Sequence, residues 1–141
     1  MKRNLIGILA LVVLISSTGA FAQSYAKADV PFAFTVGSAQ LPAGTYEIKV
    51  DNASSGAILI RNGQTSDAAM STARREYPRH TGAKLVFHHV GNSYYLAEVW
   101  KSSDAEGMVV PTSRQEKDLA KELQLAEKSL GGYEEVVIAL N

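Results

Sequence analysis

Apolar side chains recur at every second position along much of this chain, and that spacing restricts the fold more than any other feature of the sequence. Val30, Phe32, Phe34 and Val36 alternate with Ala33 and Thr35, and Tyr46, Ile48 and Val50 alternate with Thr45, Glu47 and Lys49. Successive strand residues point to opposite faces, so both stretches read as half-buried strands, the first over residues 28–36. Asp51 to Gly56 is a turn by composition, and residues 57–61 make a third strand. Asn62-Gly63 predicts a two-residue type I′ hairpin, after which residues 64–74 return antiparallel, although their small side chains also suit a helix.

Residues 84–90 and 94–100 form a second hairpin around Gly91-Asn92-Ser93. On its first strand Leu85, Phe87 and His89 share one face, and Val86, His88 and Val90 share the other. On its second, Tyr95, Ala97 and Val99 oppose Tyr94, Leu96, Glu98 and Trp100. Neither face is simply polar, which places this hairpin centrally in a sheet. Residues 108–110 read as a short strand closed by Pro111. Ser113-Arg114-Gln115-Glu116 then matches a capping box. Leu119, Leu123, Ala126 and Leu130 follow at helical spacing, and Gly131-Gly132 stops a helix over about residues 114–129. Residues 134–140 alternate again. The expected fold is mainly β: a single-domain antiparallel small barrel or two-layer sandwich with one C-terminal amphipathic helix followed by a final strand. The charged helix, short strands and Asn141 at the end argue against an outer-membrane barrel.

The first 22 residues carry a different message. Lys2 and Arg3 precede an apolar run from Leu5 to Ile15, and Ala20-Phe21-Ala22 supplies small residues at a cleavage position, so residues 1–22 read as a signal peptide. The run falls short of the roughly 20 residues needed to span a bilayer, and no membrane span is expected after leader removal. Residues 23–141 then form one exported domain, periplasmic or secreted. Removing 22 of the 141 residues leaves twelve basic and fourteen acidic side chains, a net charge of −2 with histidines neutral, which gives no footprint for nucleic acid. There is no cysteine, so disulfides, thiolate catalysis and cysteine-ligated zinc are excluded.

Chemistry is weakly marked. His88 and His89, adjacent on a strand, face opposite ways and cannot share a metal ion there. A site would need His80 to fold back, with Glu98 beside it; one surface imidazole and one packed imidazole bonded to backbone is the plainer reading. No Gly-x-Ser-x-Gly or Ser-x-x-Lys motif occurs, and the carboxylates Asp104, Glu106, Glu134 and Glu135 read as solvated acids. No catalytic residue, metal ligand set or cofactor is therefore assigned. Two groups remain as candidate ligand-binding residues. Arg74, Arg75 and Arg79, with Tyr77, His80 and Lys84, form a positive cluster suited to an anion, on what reads as a long exposed connection over residues 74–84 that contains Pro78 and Gly82. Tyr94, Tyr95 and Trp100 could stack on a ligand, although at strand spacing they also suit core packing.

The ordered set Val30-Pro31-Phe32-Ala33-Phe34-Thr35-Val36-Gly37, Leu41-Pro42-Ala43-Gly44-Thr45-Tyr46-Glu47-Ile48, Lys84-Leu85-Val86-Phe87-His88, Tyr95-Leu96-Ala97-Glu98-Val99-Trp100 and Ser113-Arg114-Gln115-Glu116 resembles a group of small exported proteins from Gram-negative soil bacteria. The resemblance implies a periplasmic or secreted location and a compact β fold, and it transfers no catalytic residue. The sequence leads to a non-catalytic binding or structural β domain of the envelope, acting on an envelope partner or small ligand. One alternative is a carrier holding an apolar molecule in a barrel cavity lined by Phe, Tyr and Leu. The other is a hydrolase or isomerase whose site, with His88 or His89 beside Glu98, assembles only on folding.

Overall fold

The protein's structure, a computed structural model, describes residues 25–50, 56–76, 82–101, 107–127 and 134–141. The expected leader, most of the turn expected over residues 51–56 and the expected helix stop at Gly131-Gly132 lie outside the described residues. Strands form where the alternating pattern coincides with an unbroken row of backbone donors. Strand β1 (Ala26–Val30) stops before Pro31, which has no N–H to donate, and the chain resumes as β2 (Phe34–Val36). The single strand expected over residues 28–36 is thus two strands in different sheets. Gly37, at φ 61°, makes the turn from β2 into β3 (Ala39–Leu41), with Val36 opposite Ala39.

Strand β1 pairs antiparallel with β4 (Gly44–Val50), which pairs with β5 (Ala57–Asn62), which pairs with β6 (Ala68–Thr72). Residues 68–72 are accordingly extended, not helical. The two-residue Asn62-Gly63 turn is absent, because Asn62 is committed elsewhere. Its side chain is buried, and Oδ1 accepts the amides of Gln64 at 2.9 Å and Thr65 at 3.2 Å. This Asx turn folds residues 63–67 into a longer loop, closed where the Asn62 amide donates to the Asp67 carbonyl at 2.9 Å.

The second sheet contains β7 (Arg74–Glu76), β8 (Lys84–Val90), β9 (Ser93–Trp100), β10 (Gly107–Val109) and β11 (Glu134–Ala139), in the order β11-β8-β9-β10-β7. Gly91, at φ 60°, makes the β8–β9 turn. Beside β10, β9 also takes β2 as a parallel neighbour through Thr35 and Tyr95. The architecture is an antiparallel sheet packed with a curled half-barrel sheet, and the two are joined at both margins. At one margin only Ala73 separates β6 from β7, so one run of chain passes from sheet to sheet, with the Ala73 amide donating to the Gly56 carbonyl at 2.6 Å. At the other, Lys27 and Asn141 exchange backbone hydrogen bonds of 3.3 and 3.0 Å. Backbone pairing therefore runs in a circuit, which leaves few strand edges unpaired.

Both sheets direct their apolar positions to one interior. Phe34, Tyr46, Ile48, Ile58, Ile60, Leu85, Phe87 and Val99 are buried there. The Phe34 ring meets Tyr46 and Phe87 edge-on at centroid distances of 5.1 and 5.3 Å. The Tyr46 hydroxyl donates to the Pro42 carbonyl at 2.6 Å, which satisfies the one polar atom that the ring brings inside.

Helix α1 (Arg114–Glu127) packs against β8 from outside the half-barrel. Its N-terminus carries half of the expected capping box: Ser113 Oγ accepts the Glu116 amide at 3.1 Å, while the Glu116 side chain turns to the sheet. Leu119, Ala120 and Leu123 are half-buried, whereas Ala126 is exposed, contrary to the expected apolar face. Leu123 already lies over Gly91 at the end of the β8–β9 hairpin, so the next helical turn runs past the sheet. Among the described residues no helix is long and apolar enough to cross a membrane.

Candidate functional site

The outer face of β8 and β9, together with the flank of α1, brings the buried Glu116 carboxylate, the His88 imidazole and an open groove together, and a bulge decides which side chains reach it. Val86 pairs with Glu98 but Phe87 pairs with Leu96, so Ala97 is an extra residue on β9. Plain alternation groups Tyr94, Leu96, Glu98 and Trp100. Instead Tyr94, Leu96 and Val99 pair with the inward residues His89, Phe87 and Leu85, while Tyr95, Glu98 and Trp100 pair with His88, Val86 and Lys84. The bulge thus transfers Trp100 from the face of Tyr94 to that of Tyr95, and Tyr94 alone of the three aromatic candidates stays on the inward side.

Tyr94 stacks between Phe32, at 3.9 Å, and His89, at 4.4 Å. Both of its ring faces are thus occupied within the protein. Trp100, 3% exposed, donates from Nε1 to Glu98 Oε2 at 2.7 Å and lies flat over Gly107. Tyr95 is buried, but it forms part of a groove described below. Arg74 and Arg75 are exposed on β7, separated from β9 by β10, and Arg74 pairs with Glu76 at 3.4 Å. Arg79, Tyr77 and His80 lie outside the described residues.

The two central histidines do face opposite ways, and each directs its Nδ1 to a carboxylate. His89 Nδ1 donates to Glu134 Oε2 at 3.1 Å. His88 Nδ1 donates to Glu116 Oε1 at 2.7 Å, and Glu116 is 3% exposed. The hydrogen bond to Glu116 holds the His88 pKa above the ordinary imidazole value of 6.5, against the opposing effect of burial, and the charges of Glu116, Glu135 and Glu98 add to the rise. Glu116 is the residue that sequence reasoning missed, since the capping motif accounts for a glutamate at that position without requiring it to be buried. Among the described residues no three His, Asp or Glu side chains are arranged to hold a metal ion.

Beside this pair, an open groove of about 530 Å³ runs between the start of β9 and the first turns of α1. Ser93 and Tyr95 contribute from the sheet, and Arg114, Gln115, Asp118, Leu119 and Glu122 from the helix. Hydroxyl, amide, guanidinium and carboxylate groups therefore border one open cleft, while carbon atoms make up the larger part of its accessible lining. Such a surface can exchange several directional hydrogen bonds with a hydroxylated or zwitterionic molecule. The barrel interior has a different character, because Phe34, Tyr46 and Phe87 fill it with contacts to one another. Comparison of the chain with family models, with curated proteins and with solved structures yields no match.

Proposed function

We propose that this protein is an exported, non-catalytic binding domain of the bacterial envelope, and that it takes a small polar ligand in the groove between β9 and α1. The groove is the observation that carries this reading. Its volume falls within the few hundred to about 1,000 Å³ typical of small-molecule clefts, and its polar groups come from two elements that the fold holds in register. The sequence of residues 1–22 supports export, with the mature chain beginning at Gln23. The described buried polar groups support a binding role over a catalytic one: Glu116, Asn62 and the Trp100 indole are each engaged in a bond that holds the fold together.

Native mass spectrometry of protein purified from its own host tests the reading directly. A bound small molecule is expected, and Leu119→Trp, which places an indole in the groove, should abolish its retention while leaving the fold intact. Retention undiminished in that variant removes the groove as the site. N-terminal sequencing of the same material should begin at Gln23.

A further inference from the structure

The buried carboxylate of Glu116 ties α1 to the sheet through His88, and this has a consequence beyond binding itself. We propose that His88 and Glu116 form a latch that holds α1 against the sheet and loosens when the imidazole loses its proton, so that rising pH opens the groove beside the helix. The effect on groove access rests on the binding reading above; the latch itself does not.

Three observations support the latch. First, of the residues in α1 only Glu116 is buried. Leu119, Ala120 and Leu123 are half-buried and Leu125 is 76% exposed, so apolar area fixes the helix only shallowly. Second, Glu116 is joined to both sides of the contact, because its carboxylate accepts from His88 Nδ1 at 2.7 Å while its own amide donates to the cap residue Ser113 at 3.1 Å. Movement of that side chain is transmitted to the first helical turn. Third, acidic groups meet His88 from every element packed around it. Glu116 comes from α1, Glu98 from β9 and Glu135 from β11, where Glu135 stands directly across from His88; Tyr95, its partner on β9, is a phenol.

When His88 is protonated, its positive charge balances carboxylates from three elements. When it is neutral, Nδ1–H still bonds to Glu116, but the charge assistance is lost and the three acids repel one another across a partly dry site. Because the folded pKa lies above the ordinary value, the stabilisation is complete below about pH 6.5 and disappears as pH rises through the elevated value. The groove residues Gln115, Asp118, Leu119 and Glu122 belong to the same helix, so its loosening displaces one wall of the groove.

Hydrogen exchange of the α1 amides in ligand-free protein, corrected for the intrinsic pH dependence of exchange, tests this between about pH 6 and about pH 9. Wild-type protection should fall by about tenfold, the scale expected when a charge-assisted bond becomes a neutral one. His88→Gln keeps a donor without titrating and should give a flat profile. His89→Gln, which alters the other imidazole, should behave as wild type. A flat wild-type profile, or a fall that persists in His88→Gln, overturns the proposal. Should His88→Gln fail to fold, proton resonances of the wild-type His88 ring and the α1 amides decide the matter: a common titration supports the latch, and independent titrations overturn it. Because no ligand is present, an empty groove would refute the binding reading and leave this result unchanged.

Discussion

Substituting alanine for Gly107 puts the packing of Trp100 to a quantitative test. An ideal Cβ at position 107 would stand 2.4, 2.4 and 2.5 Å from Cε3, Cζ3 and Cη2 of the Trp100 ring. Carbon atoms prefer a separation of about 3.5–4.0 Å, so the overlap exceeds ~1 Å at three atoms together. The ring has little room to yield, being 3% exposed and tied through Nε1 to Glu98 at 2.7 Å. Overpacking of a buried site costs about 1–3 kcal/mol, and breaking the indole hydrogen bond adds about 1 kcal/mol. We expect Gly107→Ala to destabilise the protein by about 2–4 kcal/mol. Trp100 is the sole tryptophan, so its emission during urea unfolding reports on the perturbed site without ambiguity. The midpoint should fall at nearly constant slope, and the native emission should shift. Trp100→Leu introduced into the Gly107→Ala background should cost less than in the parent, because it removes the clash. A loss below about 0.5 kcal/mol with unchanged native emission would refute the steric argument.

Two further substitutions examine the loops. Asn62→Ala removes the acceptor shared by the Gln64 and Thr65 amides at a buried position and should cost about 1–3 kcal/mol, read from denaturant unfolding; a neutral result would mean that the loop over residues 63–67 holds itself. Gly56→Ala combines a φ of 60° with a Cβ only 2.4 Å from the Ala73 carbonyl oxygen, whereas Gly82→Ala, at φ 99°, has no atom within 4 Å. The first should lower stability by at least about 2 kcal/mol and the second by about 1–2 kcal/mol, and equal thermal shifts would show that backbone strain alone sets both values.

The elements that the sequence made legible are those whose pattern and punctuation agree. The β8–β9 hairpin has β-branched and aromatic runs on both sides of a glycine turn, and the start of α1 has its serine cap; both lie where the residues place them. Legibility failed where a single residue carries two meanings. Pro31 sits inside an alternating run, and the alternation hides the lost donor that divides β1 from β2. Asn62 precedes a glycine as in a tight hairpin, yet its carboxamide is more useful when buried against two amides. The bulge at Ala97 has no local marker, because it depends on matching β9 to β8, and it moved Glu98 and Trp100 from the face of Tyr94 to that of Tyr95. For the groove the obstacle was distance in sequence: Ser93 and Tyr95 meet α1 only after the sheet has formed. Arg74 and Arg75 are exposed, as expected, but residues 74–76 are strand β7 and not part of a connection, because their partner β10 comes from more than thirty residues further along the chain.

The seam between Lys27 and Asn141 makes completion of this protein a late event. A chain emerging from a ribosome can assemble β4, β5 and β6 early, since these are neighbours in order and in space. It cannot close the ring until residue 141 is available to reach back to residue 27, a contact of nearly the largest possible sequence separation. Until then β1 keeps an unpaired edge, a vulnerable interval in which a chaperone could engage the nascent polypeptide.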